Sequence, residues 1–285
     1  MTIRLGDIQF LNSWPVTYAL RQGIVKSDPP ITLVSGTPAE LNRRLLTGEL
    51  DASAVSSALF LRHQEELVPV PGLCIRCDGG IQSVLVVSRR PLITLRGQTI
   101  GITNQAATTP ILLQLLLANQ HLKFSFEVTS LRYPEILKEY PAALLIGDEA
   151  LLAAQEDGHF VWDLGQAWSS WTRLPFVFAL WVIRRAVLER EPSLLTRITQ
   201  TLHFSYEWST SHPKELISAM RKVFPWEVTF LIRYLAAVSY DLDEKAWRGL
   251  RRFALEAERK RLLPKGSARG LRERESVFAM MEEKR

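Results

Sequence analysis

Five short polar positions stand where chemistry could be done: Asn12-Ser13, Ser56-Ser57, Ser83, Thr108-Thr109 and Gly147-Asp148. Four of them lie where a strand-like apolar run gives way to a helix-like one. Ser83 instead follows the turn Asp78-Gly79-Gly80 and opens a strand. A helix N-terminus offers free N–H groups and the positive end of a dipole, worth roughly 0.3–1 kcal/mol to an anion. Several such ends, with hydroxyl and amide side chains beside them, can hold a small carboxylate without any Lys or Arg. Taken singly, each cluster also fits ordinary helix capping, which Ser, Thr, Asn and Asp perform everywhere. The set carries more than its members. Asp148 is the best-placed carboxylate, suited to act as a base, to accept a ligand hydroxyl, or to cap the helix that follows.

Other chemistries are poorly supplied. His63, His121, His159, His203 and His212 fall outside these clusters, and none is spaced with another as a metal pair. No metal and no cofactor is expected. Cys74-Ile75-Arg76-Cys77 has C-x-x-C spacing, but no second pair completes a zinc site. A turn rather than a helix follows it, so nothing there would lower a thiol pKa. The absence of a Gly-rich phosphate loop, a dinucleotide fingerprint and a nucleophile elbow disfavours phosphoryl transfer, NAD chemistry and serine hydrolysis. Trp162, Trp168, Trp171 and Trp181 crowd one segment. They read as core packing at a lobe junction, with a wall for a planar ring as the alternative.

The elements that must position these clusters follow an alternating pattern, which predicts α/β architecture. Residues 3–8 alternate as a strand, and the loop over 9–15 opens a helix through Arg21, where Pro15 needs no N–H partner. Residues 31–34 form a second strand. Thr37-Pro38-Ala39-Glu40 then starts a helix ending near Gly48. Residues 50–55 lead into Ser56-Ser57 and a short helix. Further strands are predicted over 83–87, 99–102, 142–146 and 174–182, and the chain is essentially helical from Ala186 onward. The pattern restarts near residues 88–91. It predicts one lobe of 1–88 plus 177–285, including the C-terminal helices, with 89–176 inserted as a second lobe. Ligands of such folds sit in the interlobe cleft, beside strand ends and helix N-termini.

The composition of the 285 residues, 47% hydrophobic and 23% charged, excludes a disordered or fibrous chain. Two cysteines cannot staple a fold of this size. The net charge of +5 is unevenly spread: residues 245–285 hold 13 Lys/Arg against 6 Glu, leaving 22 basic and 24 acidic residues elsewhere. We read this segment as the solvated face of terminal helices, because no aromatic-interleaved basic groove or helix-turn-helix signature accompanies it. No nucleic-acid partner is expected. No run reaches the roughly 18 apolar residues of a membrane span, and the start lacks the apolar stretch of a secretory signal. These features predict a cytoplasmic protein with no membrane partner.

At these clusters the chain resembles the chorismate dehydratases of the futalosine route to menaquinone. The resemblance rests on residues 6–15 (GDIQFLNSWP), 50–57 (LDASAVSS), 78–84 (DGGIQSV), 143–150 (ALLIGDEA), 163–165 (DLG) and 171–179 (WTRLPFVFA). It spans roughly residues 3 to 184. It implies a two-lobed fold like type II periplasmic binding proteins, used as an enzyme, and loss of water from chorismate to give 3-[(1-carboxyvinyl)oxy]benzoate. Under it, Asn12 touches the reacting region, and Ser83, Thr108 and Thr109 hold carboxylates. Ser13, Ser56, Ser57, Gly147 and Asp148 complete the site. The base is either Asp148 or a carboxylate of the substrate. One departure from the family is the Arg76-Cys77 pair, where a small residue is usual; Arg76 is expected to point to solvent.

Three rival readings remain. A non-catalytic cytoplasmic binding protein for a small carboxylate would share the two-lobed architecture, whereas a transport version would carry a secretion signal. A transcriptional effector domain would carry a DNA-binding module. The sibling enzyme of the pathway, which forms 1,4-dihydroxy-6-naphthoate, typically relies on a histidine base, and no histidine here falls in a cluster. A homodimer is the expectation from base rates alone.

Overall fold

Residues 2–271 are described by the structure, a computed structural model. The chain begins with β1 (Ile3–Ile8), a 3-10 turn at Leu11–Ser13, α1 (Trp14–Arg21), β2 (Ile31–Gly36), α2 (Pro38–Leu46), β3 (Ala52–Ser56), α3 (Ser57–Arg62) and β4 (Leu67–Cys77). Next come β5 (Val84–Ser88), β6 (Thr99–Thr103), α4 (Thr109–Asn119), β7 (Ser125–Thr129) and α5 (Ile136–Glu139). They are followed by β8 (Ala142–Ile146), α6 (Gly147–Ala153), β9 (Phe160–Asp163) and α7 (Leu164–Thr172). After these lie β10 (Phe176–Arg184), α8 (Arg185–Leu188), α9 (Leu194–Ser211), α10 (Pro213–Met220), α11 (Val228–Ala237), β11 (Ser239–Leu242) and α12 (Glu244–Arg259). Local chemistry sets several boundaries. The Thr37 hydroxyl accepts the Glu40 N–H at 3.3 Å and Pro38 opens α2, as its sequence predicts.

The described elements gather into two compact units: residues 2–75 with Ala179–Leu242, and Arg76–Phe178 with residues 243–271. Each has its own sheet. In the first unit the strand order is β11-β4-β10-β3-β1-β2, with β1 parallel to β2 and β3, and β10 antiparallel to β3. In the second it is β7-β6-β8-β5-β9, with β6 parallel to β7 and β8, and β5 antiparallel to β8. The series β2-β1-β3-β10 and β7-β6-β8-β5 thus repeat one topology. In both, the chain moves to opposite sides of its central strand, and the carboxyl ends of β1 and β3, or of β6 and β8, share a sheet edge. That edge is the switch point where open α/β sheets bind ligands.

Burial follows the strand pattern. Ile3 and Leu5 are fully buried on β1, and Val16 and Ala19 of α1 are buried where that helix packs on α9. In the second unit Leu85, Val87, Ala143 and Leu145 form a core with Ile136, Leu137, Ala150 and Ala153. Trp168 packs edge-on against Phe176 and Phe253, and its indole donates to the Pro175 carbonyl at 3.1 Å. The tryptophan segment is therefore core at Trp168, in line with the packing role read from its composition. Among the described residues no helix is long and apolar enough to cross a membrane.

The observed division differs from the one the sequence pattern predicts in two places. The pattern puts residues 84–88 in the first lobe, but β5 pairs with β8 and β9 inside the second sheet. It puts the terminal helices there too, but α12 packs on α4, and Phe253 joins the Trp168 cluster. A strand also interrupts the helical run: β11 lies beside β4 at the edge of the first sheet. Four residues of sequence give too little alternation to mark it.

Candidate functional site

In the first unit, an ion pair on a buried carboxylate shapes the loop after β1. Asp7 at the end of β1 accepts from Arg21 of α1 (Nη2 to Oδ1 2.9 Å, Nε to Oδ2 3.1 Å) and from Gln9 Nε2 at 2.8 Å. The Arg21 guanidinium lies over the Trp14 ring, 4.6 Å from its centre. The strand end and the last turn of the helix are thereby fastened together, and the 3-10 turn between them carries Asn12 and Ser13. Asn12 is half-buried; its side-chain amide makes no hydrogen bond to another described residue, and its carbonyl accepts from the Tyr240 phenol at 2.9 Å. Ser13 is buried with its hydroxyl turned inward to the carbonyls of Ile8 and Phe10 rather than onto the helix end. On neighbouring β3, the Ser56 hydroxyl accepts the Leu59 N–H at 3.3 Å and caps α3, and Ser57 is fully buried.

The second unit repeats the arrangement with other residues. Gly147 donates its N–H to the Ser83 carbonyl at 2.8 Å, while Val84 pairs with Ile146. The start of β5 and the end of β8 therefore lie side by side, bringing Ser83 to the residues that open α6. Gly147 has φ +60, a left-handed conformation that glycine takes without a Cβ penalty. Asp148 does not cap the helix; Ile146 occupies that position, and Asp148 sits in the first turn. Its Oδ1 is buried without a hydrogen-bond partner. Burial, and then the neighbouring Glu149 charge, push its pKa up to about 6. Glu149 itself is held by Arg132 and by the Tyr133 N–H at 3.2 Å.

Thr108 and Thr109 lie at the head of α4, where Pro110 has no N–H to satisfy and the Ile111 N–H turns back to the Thr108 carbonyl at 3.1 Å. Both side chains are buried, and Thr109 Oγ1 has no hydrogen-bond partner. The Ser83 turn is clamped from a distance by Asp163. Its Oδ2 accepts the Ile81 and Gln82 N–H groups at 2.9 and 2.7 Å, and its Oδ1 caps α7 through the Gln166 N–H at 3.0 Å. Two residues later, a side chain at Gly165 would lie 2.6 Å from Cys77 Sγ and 2.7 Å from the Gly79 carbonyl. The sequence motifs at 78–84 and 163–165 are thus two halves of one clamp.

Other positions singled out in the sequence prove structural. Arg76 does not reach solvent, contrary to expectation: it is buried, donating through Nη1 to both oxygens of Asp78 (2.9 and 2.8 Å) and through Nη2 to Asp243 at 3.1 Å. Asp243 also caps α12, so Arg76 ties the Asp78-Gly79-Gly80 turn to that helix. The C-x-x-C thiols are inert by position. Cys74 and Cys77 are buried and not joined in a disulfide, Cys77 lies 3.0 Å from the Gly79 carbonyl, and burial drives its pKa far above the ordinary thiol value. No described group of three His, Cys, Asp or Glu could hold a metal. Tyr240 gives no signal in the sequence, because it lies in a stretch whose pattern reads as helix.

Each unit thus sets small hydroxyl, amide and carboxyl groups at the carboxyl edge of a parallel strand pair, the switch point at which open α/β sheets bind ligands. Solved structures support this class of fold. The periplasmic aliphatic sulphonate binding protein of Escherichia coli is similar with a TM-score of 0.68 at 15% identity, over 93% of this chain and 94% of that one. A crystal structure of an Archaeoglobus fulgidus protein is similar with a TM-score of 0.80 at 21% identity, over 92% and 98%. The protein is therefore a two-unit α/β protein of the periplasmic-binding-protein type.

A family model described as menaquinone biosynthesis matches residues 3–259. A Thermus thermophilus protein named chorismate dehydratase is 32% identical over 88% of this chain and 93% of its own length. Another from that organism, named 1,4-dihydroxy-6-naphtoate synthase, is 28% identical over 90% and 94%. The chain belongs to the menaquinone-biosynthesis family.

Proposed function

We propose that this chain is a hydro-lyase that removes water from chorismate to give 3-[(1-carboxyvinyl)oxy]benzoate. The observation that carries this reading is a pair of buried, unpartnered polar atoms in the second unit, Thr109 Oγ1 and Asp148 Oδ1. Such atoms cost about 1–3 kcal/mol each unless something pairs them, and a polar, anionic substrate with a hydroxyl can do so. The 32% identity to the protein named chorismate dehydratase supports the choice of substrate.

Chorismate carries two carboxylates, a ring hydroxyl and an acidic ring hydrogen beside it. A base takes that hydrogen as a proton, the C–H electrons become a ring double bond, and the C–O bond breaks. The hydroxide takes up a proton and leaves as water. The ring becomes aromatic, so the driving force resides in the substrate. The protein must orient the dianion, exclude water and support the proton transfer.

In this reading Asn12 meets the reacting region with its uncommitted amide. Ser83, Thr108 and Thr109 hold carboxylates together with backbone N–H groups. Ser56, Ser57 and Gly147 complete the surroundings, and Ser13 shapes the turn that presents Asn12. Two bases are available: Asp148, whose pKa of about 6 leaves it ionised at neutral pH, and a carboxylate of the substrate.

The 28% identity to the naphthoate synthase favours a second reading, the sibling reaction. Against it, no histidine stands within the clusters at 12–13, 56–57, 83, 108–109 or 147–148. The test is to mix purified protein with chorismate, beside a protein-free control, and to follow products by chromatography and mass detection. Protein-dependent formation of a product lighter by one water supports the proposal. Tight binding without turnover makes this a binding protein, and neither result directs attention to the sibling substrate.

A further inference from the structure

The 3-10 turn at Leu11–Ser13 has a gap in its own hydrogen bonding. With 3-10 spacing, the Asn12 carbonyl would be met by the N–H of residue 15, but residue 15 is proline and has none. A donor arrives instead from the far end of the same unit: the Tyr240 phenol, on β11, lies 2.9 Å from that carbonyl. Tyr240 is buried, and its ring packs against Tyr206 of α9 at 5.0 Å between centres. Burial holds its pKa well above the ordinary phenol value, so the hydroxyl keeps its proton and remains a donor. Ser13 secures the turn from within, and Tyr240 secures it from outside. The Asn12 amide has no hydrogen bond of its own to another described residue, so its aim depends on the backbone that carries it.

We propose that Tyr240 is a positioning residue for Asn12, its phenol fixing the turn so that the Asn12 amide is held toward substrate. This rests on the role given to Asn12 above. It makes β11, an edge strand remote in sequence, part of the machinery that presents the site.

The test is Tyr240→Phe in the full-length chain, which removes one oxygen and leaves the ring in place. Two readouts are taken: amide hydrogen exchange across residues 10–16, and steady-state turnover of chorismate with kcat and KM separated. The expected result is faster exchange in that segment, with kcat reduced about tenfold or more and KM changed much less, because a misaimed group costs chiefly in the transition state. In an Asn12→Ala background, Tyr240→Phe should lower kcat no further, which a general loss of stability would not reproduce. Unchanged exchange overturns the proposal, and so does faster exchange with wild-type kcat or with fully additive losses. A wild-type chain inert toward chorismate defeats the proposed reaction; the exchange arm then decides the Tyr240 proposal alone.

Discussion

Gln82 donates its backbone N–H to the carboxylate of Asp163 at 2.7 Å, across 81 residues of sequence. The same oxygen accepts from Ile81, and the other oxygen caps α7. Gln82 has φ +64, a conformation that side-chain-bearing residues rarely hold without such support. One carboxylate therefore sets the turn from which Ser83 enters β5.

Asp163→Ala should cost about 2–3 kcal/mol of unfolding free energy, since it removes a helix cap and two charge-assisted bonds to backbone donors. Denaturant unfolding measures this. A loss below about 0.5 kcal/mol would show that the turn holds itself.

Asp148 predicts an unusual pH dependence. Its pKa is raised from an ordinary carboxyl value of 3.8 to about 6, so the folded chain keeps a proton that the unfolded chain releases. The folded state binds more protons between those values, and stability falls as pH rises through them. Asp148→Asn should accordingly leave stability near pH 4 almost unchanged and raise it by about 1–2 kcal/mol above pH 7. Urea unfolding at the two pH values checks the sign.

The same variant separates the two bases. If Asp148 takes the ring proton, wild-type kcat/KM falls as pH drops below about 6, and Asp148→Asn loses turnover by about a hundredfold or more. Near-wild-type turnover in the variant would assign the proton to a substrate carboxylate.

Asn12→Ala should lower turnover by about a hundredfold while changing stability by less than about 1 kcal/mol. Only its carbonyl is committed to the fold, through Tyr240, and alanine keeps that carbonyl. Thermal unfolding beside steady-state kinetics tests the contrast.

Gly249→Ala should be the most disruptive small change on α12. A methyl group there runs into the Pro175 carbonyl, a backbone atom that cannot swing aside. The expected cost is about 2–3 kcal/mol. Limited proteolysis should then cut near α12, and a variant as stable as wild type would count against the packing of this helix on the second unit.

Much of the architecture is legible locally. The apolar run over residues 142–146 coincides with β8, and Thr37-Pro38-Ala39-Glu40 opens α2 as its residue types require. The polar clusters at 12–13, 56–57, 108–109 and 147–148 can be found because they stand where one periodicity changes to the other, a property of neighbouring residues. What the tertiary structure alone decides are the pairings across long loops. The Tyr240 phenol on the Asn12 carbonyl and the Arg76 guanidinium between Asp78 and Asp243 are such pairings. So are the partners of β5, which place it in the second sheet, and the unit that α12 joins. Periodicity shows which face of an element is apolar, but the partner that covers that face is set by packing of the whole chain. For that reason Arg76 can look solvent-facing in a strand and still be buried among carboxylates, and a four-residue strand can pass as helix until β4 lies beside it.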